Sequence, residues 1–345
     1  VHPDVRLSAE NLLHYLVLRN EDLRDLHDPL SDLGISSLRT AEGYVLDNLH
    51  QVLRLLYMMQ GQPWADGSSP RGPGYAMSKS LIRTHSNRLF NRSSEYQEHE
   101  IMVTMPDSAA FDGELIEKMA ANGMTIARIN LSHGDLDLWT RMVDQVRAAS
   151  EKTGKDLRIY MDLPGPKIRI EFPLGITTLP VQKGMHIELH KGPVDPVEFE
   201  MAIRNSDPQT PIPVTLSIPE VVGMLEVGEK VFFDDGMIRG VVTETGAHTA
   251  LIRILKSFKE KLKPDKGMNL PETLLNLPSL TPQDREHLPF VVGHADLLGY
   301  SFVKNESDVS LLYELLQACG DKKPGVVFKI ENLNAFNRLP LILLE

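Results

Sequence analysis

Residues 127–134 read ARINLSHG, and this stretch decides the fold class. Its first half alternates as a strand does, yet polar side chains stand where a buried strand favours Val or Ile. Three other predicted strands also change from apolar to polar residues at their carboxyl ends, in YMDLPGPKIR (160–169), SFVKN (301–305) and FKIEN (328–332). A parallel barrel keeps its active site at the carboxyl ends of its strands. We therefore interpret the polar residues of ARINLSHG as the rim of a site.

From about Glu100 the sequence alternates short apolar strands with amphipathic helices. The strand IMVTM (101–105) precedes a helix that Asp112 opens and Gly123 closes. The same order of strand and helix then recurs, which indicates parallel βαβ units. Five such units could form an open doubly wound sheet or most of an eight-stranded barrel. The polar strand ends favour an α/β fold of the (β/α)8 TIM-barrel type, incomplete in this chain.

The alternation is interrupted at Pro173. Short β runs separated by Gly, Pro and Asn follow, which predicts a β domain inserted into the α/β domain. The N-terminal residues show helical periodicity with breaks near Pro29 and Gly34, and a stretch rich in Gly, Pro and Ser comes next. The predicted domains are a helical module (1–60), a linker or loop (61–99), the first part of the barrel (100–172), the inserted β domain (173–265) and the second part of the barrel (266–345).

The composition disfavours several classes of function. The 345 residues include 36 Lys and Arg against 47 Asp and Glu, a formal net charge of -11. General binding to nucleic acid or to an anionic membrane depends on basic patches, so we expect neither partner. Cys319 is the only cysteine and no apolar run is long enough to span a membrane, so we expect a cytoplasmic location. The chain begins at Val1 and stops in the apolar run LPLILLE, and we expect trimmed ends.

Cationic side chains and oxygen ligands occur together on the polar strand ends. Arg and Lys suit phosphate or carboxylate oxygens, whereas Asp and Glu suit hard cations such as Mg²⁺. This combination is typical of phosphoryl transfer. The alternatives are a structural Lys–Glu pair at a strand end and a satisfied polar cluster at a helix entry. The candidate site residues are Arg128, Asn130, Ser132, His133, Asp162, Arg169, Lys329 and Glu331.

Side-chain alternation and the absence of several known motifs limit the classes of reaction that the candidate site could catalyse. In VVFKIEN (326–332), Lys329 and Glu331 share one face of the strand. Ser132 and His133 are adjacent and face opposite ways, and no G-x-S-x-G elbow occurs, so they are not a hydrolase dyad. No phosphate-binding G-x-x-x-x-G-K-[ST] loop occurs, and no G-x-G-x-x-G follows a strand. Scattered histidines and a single cysteine give a zinc site little support.

Six motifs resemble those of one enzyme family in order and approximate spacing. They are GMTIARINLSHG (123–134), MDLPGPKIR (161–169), VFFDDGMI (231–238), KGMNLPE (266–272), SFVKNESDV (301–309) and FKIENLNAF (328–336). From about Ile101 to its end the chain therefore resembles pyruvate kinase. The inserted β domain lies where the small β-barrel lid domain of that family interrupts its barrel.

The resemblance implies transfer of a phosphoryl group from phosphoenolpyruvate to ADP, giving pyruvate and ATP, with Mg²⁺ (or Mn²⁺) and K⁺ as cofactors. It implies that Lys329 stabilises the transferred phosphoryl group and the enolate oxygen, that Arg128 binds the substrate phosphate and that Glu331 binds Mg²⁺. It also implies a monovalent-cation site and a nucleotide site, formed by Asn130, Ser132 and Asp162 for K⁺ and by His133, Arg169 and Lys266 for the nucleotide.

The sequence departs from the pattern of the family at several positions. After Asp162 the family usually has Thr and Lys, but this chain has Leu163 and Pro164. Lys167 replaces the usual Glu, and residues 105–126 lack the Arg that the family normally places there for phosphate. The chain also ends before the Ala-Arg-Gly-Asp segment that carries the second Mg²⁺ ligand. We therefore expect a longer protein, or another segment that completes the sheet.

Three functions remain open from the sequence. The first is the phosphoryl transfer just described. The second is a catalytically silent relative that binds phosphoenolpyruvate or a nucleotide, which the missing Arg and Thr favour. The third is carbon–carbon bond chemistry through a Schiff base on Lys329, although Glu331 and Arg128 suit metal and phosphate better. We also expect a homo-oligomer, with the N-terminal helices as an accessory or interface module.

Overall fold

The computed structural model describes residues 5–64, 72–90, 99–205 and 207–345. The chain forms two compact units, one of Val1–Glu100 with Pro340–Glu345 and one of Ile101–Leu339. The division after Glu100 lies next to the predicted start of the barrel, and the other predicted boundaries stay predictions. Among the described residues, no helix has both the length and the apolar content needed to cross a membrane.

Helices and strands are numbered here in chain order within the described residues. The helices are α1 (Arg6–Arg19), α2 (Arg24–Asp32), α3 (Val45–Met59), α4 (Tyr75–Phe90), α5 (Gly113–Ala121), α6 (Leu136–Thr153), α7 (Pro196–Arg204), α8 (Pro282–His294), α9 (Glu306–Cys319), α10 (Leu333–Asn337) and α11 (Leu339–Leu344). The strands are β1 (Met102–Thr104), β2 (Ile126–Asn130), β3 (Arg158–Leu163), β4 (Ile170–Glu171), β5 (Leu179–Pro180), β6 (His186–His190), β7 (Ile212–Leu216), β8 (Lys230–Phe233), β9 (Ile238–Thr245), β10 (Thr249–Ser257), β11 (Lys261–Leu262), β12 (Met268–Asn269), β13 (Leu297–Tyr300) and β14 (Gly325–Phe328).

The first unit is helical, as the N-terminal residues predict. Leu30, Leu38 and Val52 form its small buried cluster. The predicted break near Gly34 is confirmed, because α2 ends just before this residue, which has a φ of +70°. The predicted break at Pro29 is wrong, because Pro29 lies inside α2. Only one backbone donor is lost there, and the burial of Leu30 offsets that loss.

Helix α4 contradicts part of the predicted linker (61–99). Residues Tyr75–Phe90 form a helix of 16 residues. The Gly and Pro residues that indicated a linker are concentrated in 61–74, whereas the sequence of α4 contains neither residue type. Nothing in its composition therefore interrupts helical hydrogen bonding. The parts of the predicted linker at 65–71 and 91–98 lie outside the described residues.

A parallel sheet of five strands positions the candidate site in the second unit. Its order is β1-β2-β3-β13-β14, and each neighbouring pair is parallel. The order in space therefore follows the order in the chain. A doubly wound sheet reverses its order at a switch point, whereas a (β/α) barrel places each strand beside the preceding one. The prediction of an α/β, barrel-type sheet is confirmed, and the count of eight strands stays a prediction.

The register of this sheet brings distant residues side by side. Asn130 of β2 lies opposite Asp162 of β3, and Gly299 of β13 lies opposite the same aspartate. Tyr300 of β13 pairs with Phe328 of β14, immediately before Lys329. Because all five strands run in the same direction, the residues at their carboxyl ends meet at one edge of the sheet.

Two capped helices connect the first three strands, as predicted. The Asp112 carboxylate accepts a hydrogen bond from Leu115 N at 3.0 Å and begins α5. The Asp135 carboxylate caps α6 in the same way, and Gly154 ends it in the left-handed region at a φ of +66°. The apolar face of α6 is buried, with Trp139, Met142, Val143 and Val146.

A mostly antiparallel sheet of seven strands is formed by residues between β3 and β13. Its order is β12-β8-β9-β10-β6-β7-β4, and β5 pairs separately with β11. Buried apolar side chains, among them Phe199, Phe233 and Ile252, form its core. Helix α7 also lies in this region and was not predicted, because its nine residues stand between strands without a long periodic pattern.

Candidate active site

A polar cavity of about 120 Å³ lies where the carboxyl ends of the parallel strands meet the seven-stranded sheet. Six of the predicted site residues line it, and they come from three strand ends that are far apart in the sequence. Its lining residues are Arg128, Asn130, Ser132, Asp162, Pro164, Lys167, Asp235, Asn269, Ser301, Phe302, Lys329 and Glu331.

Asp162 is the buried acidic centre of the cavity. Only 3% of the residue is exposed, and its Oδ2 accepts hydrogen bonds from Nη2 and Nε of Arg128, the latter at 3.1 Å. Lys329 Nζ lies 3.3 Å from Asp162 Oδ1. A buried carboxylate without cationic partners would be strongly destabilising. Asp162 therefore fixes Arg128 and Lys329 beside one another.

Four oxygen atoms from three side chains surround the Lys329 ammonium group. Its Nζ donates a hydrogen bond to Ser301 Oγ at 2.8 Å and lies 3.5 Å from Glu331 Oε1, in addition to its contact with Asp162. Strand β14 ends at Phe328, but Lys329 N still donates to Tyr300 O at 3.0 Å. The backbone of Lys329 is thus held against β13. Lys329 and Glu331 lie on the same side, as the alternation in the sequence predicted.

Glu331 is held by a strained residue that follows β13. Its Oε2 accepts a hydrogen bond from Phe302 N at 3.0 Å, and Phe302 has a φ of +55°. This left-handed conformation is unusual for a bulky residue and tends to occur at functional sites. Gly165 leaves room for the Phe302 ring, because a Cβ added at Gly165 would lie 3.0 Å from Phe302 Cδ2. Phe302 therefore aims a backbone N–H at the Glu331 carboxylate.

Gly299 lets the strands pack tightly around Asp162. A Cβ at this position would lie 2.0 Å from Tyr160 Oη and 2.6 Å from Asp162 Oδ1. No side chain can be accommodated there without displacing these two groups. Burial, followed by the charge of Asp162, raises the pKa of Tyr160, so its hydroxyl group stays protonated.

The turn after β2 is ordered by local hydrogen bonds. Asn130 Oδ1 accepts from Ser132 N at 3.1 Å, and Leu131 N donates to Asp162 O at 3.1 Å. Trp139 Nε1 donates to His133 O at 2.7 Å, which holds the turn against α6. These contacts place Asn130 and Ser132 on the cavity.

The three predicted nucleotide residues do not line the cavity. Arg169 Nη1 donates to Asp265 O at 2.8 Å, and Lys266 Nζ lies 3.1 Å from Asp234 Oδ1. Both lie where the chain passes between the parallel sheet and the seven-stranded sheet. His133 contributes its backbone oxygen to the turn after β2. His133, Arg169 and Lys266 are therefore not among the residues that line the cavity around Asp162.

Several lining residues were not predicted from the sequence. Ser301 is 2% exposed and directly contacts Lys329, and its position at the start of SFVKN was a usable signal. Asp235 belongs to the DDG turn after β8, whose contribution to the cavity depends on the packing of two sheets. Lys167 was noted only as a departure from the family. Burial, followed by repulsion from Arg169, lowers the pKa of Lys167.

Comparisons with known proteins identify the family of this chain. A family model described as pyruvate kinase, barrel domain, matches residues 96–345. The chain belongs to the pyruvate kinase family. Pyruvate kinases of Staphylococcus saprophyticus and Geobacillus stearothermophilus are each 30% identical to it, over 67% and 68% of this chain and 37% of each relative. The pyruvate kinase of Mycobacterium tuberculosis is 28% identical over 71% of this chain and 48% of the relative. The chain thus spans less than half the length of each of these three relatives.

The position of Glu331 in this member of the pyruvate kinase family suits a Mg²⁺ ligand. Among the described residues, no group of three or more His, Cys, Asp and Glu side chains is arranged to hold a metal ion. Mg²⁺ at phosphate sites is commonly held by one or two carboxylates together with substrate oxygens. Glu331 lines the cavity and is fixed by Phe302 N, so it is suited to that role.

Two of the three predicted K⁺ ligands, Asp162 and Asn130, have side-chain oxygens that already accept hydrogen bonds in this arrangement. Both oxygens of Asp162 already contact Arg128 or Lys329, and Asn130 Oδ1 accepts from Ser132 N. Leu163 supplies no side-chain oxygen where the family usually has Thr.

Proposed function

We propose that the natural protein carrying this chain is a pyruvate kinase-like phosphotransferase, which moves the phosphoryl group of phosphoenolpyruvate to ADP and gives pyruvate and ATP. The observation that best supports this proposal is the cluster around Asp162, in which Arg128 and Lys329 flank one cavity beside Glu331. Phosphoryl transfer depends on cations around the transferred group and on oxygen ligands for Mg²⁺. The cluster contains both kinds of group.

The proposed roles follow from charge and position. Arg128 binds the phosphate of phosphoenolpyruvate, and its guanidinium is oriented by Asp162 and by Thr104 Oγ1 at 2.9 Å. Lys329 stabilises negative charge on the transferred phosphoryl group and on the enolate oxygen that is released. Glu331, together with substrate oxygens, would hold Mg²⁺, which neutralises phosphate charge when bound.

The finer features of the family are part of the same proposal. The seven-stranded sheet would act as the small β-barrel lid domain, and closing it would exclude water from the transferred phosphoryl group. His133, Arg169 and Lys266 would lie along the nucleotide. The five parallel strands would belong to a (β/α)8 barrel whose remaining strands lie outside this sequence. A cytoplasmic location and a homo-oligomeric state stay predictions.

A catalytically silent binding protein is the second candidate function. Arg128 and Lys329 are both engaged by Asp162 rather than directed only at the cavity. An incoming phosphate must compete with this internal carboxylate for the two cations. This competition, and the departures from the family pattern at Leu163 and Lys167, make binding without turnover the second candidate, ahead of an unrelated reaction.

One pair of measurements separates the two candidates. The natural protein is supplied with phosphoenolpyruvate, ADP and Mg²⁺, and the ATP formed is measured with luciferase after quenching. Calorimetry measures binding of phosphoenolpyruvate in the presence of Mg²⁺. Formation of ATP supports the phosphotransferase, and binding without ATP supports the silent protein. If neither binding nor ATP is observed, both candidates are wrong.

A further inference from the structure

The turn between β8 and β9 has an unusual backbone. Asp234, Asp235 and Gly236 have consecutive positive φ values of +50°, +55° and +82°. Glycine adopts this region readily, but two successive aspartates there are uncommon. Such strain persists only where the surrounding structure holds it in place, and it often marks a functional segment.

Asp234 fixes this turn to the neighbouring chain. Its side chain is 10% exposed, forms an ion pair with Lys259 and lies 3.1 Å from Lys266 Nζ. Its backbone N donates to Gly267 O at 2.9 Å, and Met237 N donates to Asp234 O at 3.1 Å. The buried aspartate is therefore an anchor, and the next residue is presented in a fixed direction.

The anchored turn presents Asp235 to the catalytic cavity. Asp235 lines this cavity together with Lys167, which follows β3 on the parallel-sheet side. Within the described part of the chain, neither side chain forms an ion pair within 4.0 Å, in contrast to Arg128, Lys329 and Asp162. An unpaired carboxylate and an unpaired ammonium group therefore share one small cavity.

We propose that Asp235 is a positioning residue of the proposed phosphotransferase, and that its carboxylate attracts the Lys167 ammonium group and keeps it over the cavity, where it meets the anionic substrate. The part that Asp235 would play in catalysis rests on the proposed function. The other charged groups that act on Lys167 are Arg169 and Lys329, which repel it, and Glu331, which attracts it. Asp235 is the one of these carboxylates that the seven-stranded sheet supplies. That sheet would thereby help to assemble the site.

A double-mutant cycle tests the proposal. Asp235→Asn removes the charge, and Asn tolerates the left-handed backbone. We expect it to raise the KM for phosphoenolpyruvate about fivefold with less than a twofold change in kcat, as for loss of a charge that orients a substrate contact. In a Lys167→Met background the same substitution should change KM little.

Glu244→Gln, which removes an exposed charge at the far end of β9, is the matched control and should leave KM unchanged. An equal effect of Asp235→Asn in both backgrounds, or no effect in either, overturns the proposal.

A chemical measurement tests the proposal without turnover. The rate at which acetic anhydride modifies Lys167 is followed by mass spectrometry as a function of pH. Loss of the Asp235 charge should lower the pKa of Lys167, so Lys167 should react faster in Asp235→Asn than in the wild type at the same pH. Glu244→Gln should behave as the wild type. Equal rates in all three proteins overturn the proposal even if ATP is formed. A wild type that forms no ATP contradicts the proposed function but leaves this test valid.

Discussion

At the residue scale, a single buried carboxylate holds two cations from different strands. Asp162 pairs with Arg128 and Lys329, and its neighbours leave it little room to move. A carboxylate in such a position stabilises the fold only while both partners remain, because an unpaired buried charge is costly. The side chains that are proposed to bind phosphate are thus positioned before any substrate arrives.

The close approach at Gly299 gives the first prediction. Gly299→Ala should displace Asp162 or Tyr160, since the added Cβ would lie 2.6 Å and 2.0 Å from their oxygens. We expect a loss of about 2 kcal/mol in the free energy of unfolding, which is typical of overpacking in a core. Urea unfolding followed by circular dichroism measures it. Gly293→Ala in α8, where no atom lies within 4 Å of the added Cβ, is the control and should not destabilise. Equal stability of the two variants would show that the Asp162 environment is looser than described.

The occupied oxygens of Asp162 give a second prediction, about cations. Turnover of phosphoenolpyruvate and ADP should need Mg²⁺ but change less than about twofold when K⁺ is replaced by tetramethylammonium at constant ionic strength, because two of the three predicted K⁺ ligands are engaged. Chelation of Mg²⁺ in the same assay is the positive control and should abolish turnover. A tenfold or larger requirement for K⁺ would mean that Asp162 releases one of its cations when substrate binds.

At the element scale, strand ends and one turn assemble the cavity. The ends of β2, β3, β13 and β14 were predictable, because each sequence changes from apolar to polar residues at that point. The turn after β8 was not predictable as part of the site, since its position depends on how the seven-stranded sheet packs against the parallel strands. Arg169 and Lys266 were expected to face the site. Instead, where the two sheets are connected, Arg169 contacts a backbone oxygen and Lys266 forms an ion pair.

The anchor of this turn gives a third prediction, about pH and stability. Burial opposes ionisation of Asp234, but hydrogen bonds from Lys259 and Lys266 outweigh it and lower its pKa. Because its pKa is lowered in the folded state, ionised Asp234 stabilises the fold at pH values above the ordinary pKa range of a carboxylate. This stabilisation is lost as the pH falls below that range. Asp234→Asn should therefore cost about 1 to 2 kcal/mol of unfolding free energy at pH 7, and the difference should shrink below about pH 4.

Urea unfolding at several pH values measures this difference. Glu244→Gln is the control, because it removes an exposed charge on β9 that forms no ion pair within the described residues. It should change stability by less than about 0.5 kcal/mol at every pH, as an exposed substitution does. A constant difference between Asp234→Asn and the wild type from pH 7 to pH 3 would contradict the anchoring role of the Asp234 charge.

At the scale of the whole molecule, the sequence predicted the architecture better than the accessory parts. Regular periods of strand and helix from Ile101 onward predicted a barrel-type parallel sheet, and the break at Pro173 predicted a separate β region. The composition predicted a linker at Tyr75–Phe90, but a helix follows the stretch rich in Gly and Pro there. Lys167 and Asp235 line one cavity only because two sheets pack together, and no local sequence pattern indicates that packing.

The central claim is that the strand ends form a phosphoryl-transfer site with Lys329 at its centre. The most direct measurement is the rate of ATP formation from phosphoenolpyruvate and ADP by the natural protein and by its Lys329→Met variant, with Lys183→Met, an exposed lysine of the seven-stranded-sheet region, as the control. We predict a loss of about 10³-fold in kcat for Lys329→Met, as expected when a group that stabilises transition-state charge is removed, and no loss for the control. A Lys329→Met variant with the kcat of the wild type would contradict the claim.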